Sequence, residues 1–178
     1  MKTRNKVLAT VIAGLISTSA MAATQGLMGL TSNGNIDLDL QVLDSIEINA
    51  LNDINFGTYG GLNTGNINQG DDFCVFRNGG DNYKITPTSA NGKFSLTGPT
   101  LDEIDYTVKL AGTAGGAATG TSVLYGADSA GFAGSAARDC TGSGGVNASV
   151  DVSITEAEIR QASTGLYADT LILLVSPI

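Results

Sequence analysis

From Ile36 to Val42 apolar and polar residues alternate without a break: Ile36, Leu38, Leu40 and Val42 are separated by Asp37, Asp39 and Gln41. Successive side chains of a β-strand point to opposite faces, so this spacing gives a strand with one greasy and one wetted face. The same period recurs along the chain. Ile46, Ile48, Ile54 and Phe56 continue in strand-like fashion across Asn- and Asp-rich breaks, and Phe73, Val75 and Tyr83–Ile85 flank a turn at Asn78–Asn82. Further strands are predicted at Lys93–Leu96, at Ile104–Leu110 and at Ala148–Ile154. The closing run Leu166–Val175 is apolar on both faces, as a strand buried inside a sheet should be. Only Thr155–Ala162 has a local helical pattern. The 24 glycines concentrate in Gly57–Gly70 and Ala111–Gly145, and the second tract reads as long loops around a short strand at Val123–Tyr125. Many short strands divided by turns predict an all-β fold, a β-sandwich around one core.

The first residues have a different logic. Lys2, Arg4 and Lys6 precede the apolar stretch Val7–Ile16, and Ala20-Met21-Ala22 fits the small-residue rule for leader cleavage. The stretch is too short to span a bilayer. Residues 1–22 are therefore expected to be an export signal, with the mature chain beginning near Ala23 and lying beyond the inner membrane. The whole chain has 9 Lys and Arg against 17 Asp and Glu; without the three leader bases the balance is 6 against 17, a net charge of −11. Such a surface repels nucleic-acid phosphates and anionic lipid headgroups, and its scattered acids serve solubility.

Cys74 and Cys140 are the two cysteines. In an exported chain with no His and no C-x-x-C spacing, a structural disulfide outranks a metal site or a redox pair. It would close a loop of about 65 residues, stabilising by on the order of 4 kcal/mol. The absence of His removes Ser-His and Cys-His nucleophilic catalysis. Asp71-Asp72 and Asp102-Glu103-Ile104-Asp105 are carboxylate pairs of the kind a glycosidase uses, but exposed acids are the commoner reading in an acidic chain. Asp37 and Asp39 miss the EF-hand spacing, and the Gly-rich stretches lack the Lys-Ser/Thr of a phosphate loop. Asn147-Ala148-Ser149 matches a glycosylation sequon as easily by chance as by design. No enzyme activity, cofactor or metal is expected.

The two ends carry the remaining information. A polar, Gly-containing lead, Thr24–Asn35, runs into the Ile36–Val42 alternation, and the chain closes on Gly165–Val175 with Ser176-Pro177-Ile178 beyond. An immunoglobulin-like sandwich would be expected to supply one more strand after this point. If that strand is missing, a neighbour must fill the gap by strand addition. Periodicity alone favours the simpler assignment, in which Ile36–Val42 is the first strand of the chain's own sheet.

Gly34-Asn35-Ile36-Asp37-Leu38-Asp39-Leu40, followed by Ile54-Asn55-Phe56-Gly57-Thr58-Tyr59, resembles the opening of archaic chaperone–usher pilins of the spore-coat-protein-U type. Asp72-Phe73-Cys74 with Asp81–Ile85 resembles the second-strand cysteine of those proteins and the strand after it. Gly165-Leu166-Tyr167-Ala168-Asp169-Thr170-Leu171 resembles their closing strand. One feature departs from the family: the usual cysteine partner lies in the first strand, and no Cys precedes Phe73. The resemblance implies an incomplete immunoglobulin-like sandwich completed by a neighbour's donor strand, with residues 23–43 as the donor segment and 44–178 as the pilin domain. It assigns Ile36, Leu38, Leu40 and Val42 as donor residues, and Leu171, Leu173 and Val175 to the terminal strand beside the acceptor groove. It further implies identical or related subunits as partners, a periplasmic chaperone and an outer-membrane usher during assembly, and an extracellular pilus supporting adhesion or biofilm. Two alternatives stay open: a self-contained secreted β-sandwich that binds a ligand or surface component, and a Gly/Asn-rich cross-β fibre-former.

Overall fold

A computed structural model describes residues 23–61 and 65–178; the expected export signal lies outside the described residues. The chain falls into two units, Met1–Val42 and Leu43–Ile178. Within the first, Thr24 and Asn35 exchange two backbone hydrogen bonds of 3.0 Å across a bend. Residues 36–42 form no regular secondary structure.

The second unit is built almost wholly from antiparallel strands: β1 (Ile46–Asn49), β2 (Ile67–Arg77), β3 (Asn82–Ser89), β4 (Ser95–Thr97), β5 (Glu103–Asp105), β6 (Thr107–Ala111), β7 (Thr121–Val123), β8 (Phe132–Ala133), β9 (Ala148–Ile154) and β10 (Leu171–Pro177). The one α-helix among the described residues, α1, covers Glu156–Gln161, with the Thr155 hydroxyl accepting from the Glu158 N–H at its start. Five strands form a sheet in the order β1-β2-β9-β6-β7, three form another in the order β10-β3-β8, and β4 pairs with β5.

Alternation explains the core. β2 turns Phe73 and Val75 inward while Cys74, between them, points to the opposite face. β9 sends Ala148, Val150, Val152 and Ile154 to the same core, and β6 sends Val108 and Leu110. Tyr83 and Ile85 of β3 reach it from the three-stranded sheet. The other face of β9 is covered as well: Ser149 and Asp151 are buried, and the Ser149 hydroxyl donates to the Thr113 carbonyl at 2.7 Å. The predicted disulfide is present, Cys74 to Cys140 with Cα atoms 5.9 Å apart, tying β2 to the loop before β9.

Several sequence expectations are corrected. The turn at Asn78–Asn82 links two sheets, since β2 pairs with β1 and β9 whereas β3 pairs with β10 and β8. The run Ile104–Leu110 is two strands, because the chain changes sheets at Tyr106, whose N–H donates to the Phe94 carbonyl. Ile54 and Phe56 lie in coil. β1 stops at Ala50, which takes φ +61°, a left-handed conformation costly for a residue with a Cβ. β10 begins five residues later than Leu166 and is an edge strand, with Ile172 (47% exposed) and Leu174 (59%) on its outer face. Its doubly apolar pattern therefore does not mark an interior strand.

Candidate functional site

The free edge of β10 is defined by its register with β3. The Ala90 N–H donates to the Thr170 carbonyl at 3.0 Å, and the Ile178 N–H to the Asn82 carbonyl at 3.3 Å. Hydrogen-bonded positions alternate along an antiparallel pair, so Leu171, Leu173 and Val175 turn their N–H and C=O groups away from β3. The same parity places Pro87 where β3 needs no N–H toward β10; its carbonyl accepts from Gly126 on the other side.

Beside this edge lies a cavity of about 430 Å³. Val150 and Val152 of β9 line it from the five-stranded sheet, Leu171 and Leu173 from β10, and Ile54 and Phe56 from the coil after β1. Leu96 and Tyr106 also line it. Its walls are thus mostly apolar, and of the three carboxylates that line it, Asp53, Asp71 and Asp169, the last two sit at polar junctions. Asp71 accepts from the Asn52 N–H at 2.7 Å and the Asn52 amide at 3.1 Å, which holds the coil to β2. Asp169 accepts from the Tyr106 hydroxyl at 2.6 Å, the Ser89 hydroxyl at 2.5 Å and the Thr170 N–H at 2.7 Å. Burial first, and the Asp169 carboxylate second, push the Tyr106 phenol well above its ordinary pKa, so it stays a neutral donor.

The residues predicted from sequence fall in distinct places. Leu171 and Leu173 line the cavity. Val175 shares their half-buried face but lies further along β10 and does not line the cavity. Ile36, Leu38, Leu40 and Val42 are between 71% and 90% exposed. Ile54, Phe56, Leu96, Tyr106, Val150 and Val152 were expected as strand residues and not as groove residues. Their only sequence signal was apolar spacing, which does not distinguish a filled core from its open margin.

The glycosylation sequon is resolved by its contacts. Asn147 of the sequon is buried, its Oδ1 accepting from the Val75 N–H at 2.8 Å and its Nδ2 donating to the Val75 carbonyl at 3.0 Å. The side chain acts as a ladder partner for β2 and is not available to a glycosyl group. Among the described residues no group of three or more His, Cys, Asp or Glu side chains could hold a metal ion, and no helix is long and apolar enough to cross a membrane. The sequence matches no family model and no curated protein.

Proposed function

We propose that this chain is a structural subunit of an extracellular pilus that polymerises by donor-strand exchange. Its fold in this reading is an incomplete immunoglobulin-like sandwich. The observation that carries the proposal is a matched pair: a segment of alternating, exposed apolar side chains at Ile36–Val42, and an edge strand, β10, beside an apolar cavity. A segment from one subunit would add to the free edge of β10 in the next and turn Ile36, Leu38, Leu40 and Val42 toward Leu171, Leu173 and Val175. Removing four large apolar side chains from water contributes roughly 6–12 kcal/mol before ordering costs. Head-to-tail repetition yields an open filament.

The resemblance to archaic chaperone–usher pilins supplies the rest: passage through the periplasm, a chaperone occupying the groove before assembly, an outer-membrane usher, and a filament that supports adhesion or biofilm. The test compares the mature chain with and without residues 24–43. An SDS-resistant ladder, seen without boiling and lost on deletion, supports the proposal. A well-folded monomer that keeps its size and stability after deletion favours a self-contained domain instead.

A further inference from the structure

Where the second unit begins, a compact cluster of contacts joins three parts of the chain. Ser45 and Asn78 extend the β1–β2 ladder by one position: the Asn78 N–H donates to the Ser45 carbonyl at 3.1 Å. The chain then turns into a short 3-10 segment, so the Asn78 side chain takes over the acceptor role, its Oδ1 receiving the Ser45 N–H at 3.0 Å. Its Nδ2 donates to the Leu43 carbonyl at 2.9 Å. The neighbouring Arg77 is buried, only 6% exposed. Its Nη2 donates to both oxygens of Asp44 at 3.3 Å, and its Nη1 donates to the Asn82 carbonyl and, at 3.3 Å, to the carbonyl of Ile178, just past β10. One guanidinium therefore bonds the root of the N-terminal segment to the end of the edge strand.

We propose that Arg77 and Asn78 form the joint that carries tension from one subunit to the next. This inference rests on the donor-strand reading. In a filament, the incoming donor is held on β10 and the outgoing donor leaves at Leu43, so pulling the filament draws these two places apart. The shortest connection between them runs through Arg77, from Ile178 to Asp44, while Asn78 grips the backbone on both sides of Asp44. Behind the joint, Cys74 anchors β2 covalently to Cys140, so the pull is passed to a strand that cannot be drawn out alone. The guanidinium is buried although Asp44 is exposed, and its four hydrogen bonds in three directions hold it in place against such a pull.

The experiment pulls filaments at constant force and records the rate of subunit unfolding, after confirming the SDS-resistant ladder. Asp44→Ala with Asn78→Ala removes the joint's two side-chain partners outside the core and leaves Arg77 its carbonyls. The control is Thr155→Ala, which removes the α1 cap far from the joint. The joint is supported if the double variant keeps its ladder yet unfolds under force faster by on the order of tenfold or more, while the control, at a comparable loss of thermal stability, does not. Asn78→Ala alone, which strips no buried charge of its partner, should show a smaller increase of the same kind. If the ladder persists and the variants and the control unfold alike under force, the joint is overturned and the filament reading survives. If the unaltered chain forms no ladder, the filament reading fails and the joint goes with it.

Discussion

Ile36–Val42 and Leu171–Val175 are both short and rich in Leu, Ile and Val, the first apolar at alternate positions and the second throughout, yet they meet different ends. The second is bonded to β3 along one edge and sets Leu171, Leu173 and Val175 against the core. The first has no ladder, and its apolar side chains are exposed. A period of two states that one face wants burial; it does not say which partner buries it. An alternating segment left exposed next in sequence to a domain with an open sheet edge is what donor-strand exchange needs from each copy, and the comparison can be pressed from both sides.

The largest effect is expected from charge on either apolar face. Leu38→Asp should abolish the SDS-resistant ladder as completely as deleting residues 24–43, since a buried carboxylate would have no partner in the groove. Leu173→Asp should abolish it from the acceptor side, with a loss of fold stability that Leu38→Asp does not show, because only Leu173 already packs on its own subunit's core. Equal loss of stability in both, measured by thermal unfolding, would erase the distinction between the two segments.

Next in size is the disulfide. Replacing Cys74 and Cys140 by Ser should cost about 2–5 kcal/mol in chemical denaturation, and should lower acceptor stability while leaving residues 36–42 as exposed as before.

How far the sequence alone could go follows from the same contrast. Strands with one strongly apolar face, β2, β3 and β9, were readable from spacing, and α1 from Thr155 before an acidic first turn. Sheet membership was not. Phe73–Val75 and Tyr83–Ile85 flank a Gly-rich turn that has the composition of a hairpin, but Arg77 and Asn78 bond back to the chain at residues 43–45, and the strands diverge into separate sheets. The break at Tyr106 was hidden because its ring continues the apolar alternation while its hydroxyl reaches Asp169, 63 residues away. Leu171 and Leu173, which line the cavity, were singled out only through family resemblance. Ile54 and Phe56 were missed as groove residues because a coil wall and a strand wall have the same apolar spacing.

A smaller effect separates the site's polar clasp from its apolar lining. Tyr106→Phe should destabilise the domain by about 1–2 kcal/mol by removing a hydrogen bond to a carboxylate, read as a shift in the denaturation midpoint. Tyr83 and Tyr106 both have phenols raised above the ordinary value of 10.0, chiefly by burial. The folded state therefore favours the neutral form. Their stabilising contribution should be fully present below the unfolded value near pH 10 and should decline as pH rises above it. Tyr106→Phe should flatten part of that decline. The smallest effect is expected at Ala50, whose φ of +61° is left-handed; Gly there should raise stability by about 0.5–1 kcal/mol in the same denaturation assay.

Amide hydrogen exchange along β10 tests the central claim most directly, because Leu171, Leu173 and Val175 point their N–H groups at the free edge. Exchange would be compared between the assembled full chain and the chain lacking residues 24–43. The account expects these three amides to be strongly protected in the assembly and unprotected in the shortened chain, while Ile172 and Leu174, bonded to β3, are protected in both. Equal exchange at Leu171, Leu173 and Val175 in the two samples would contradict it.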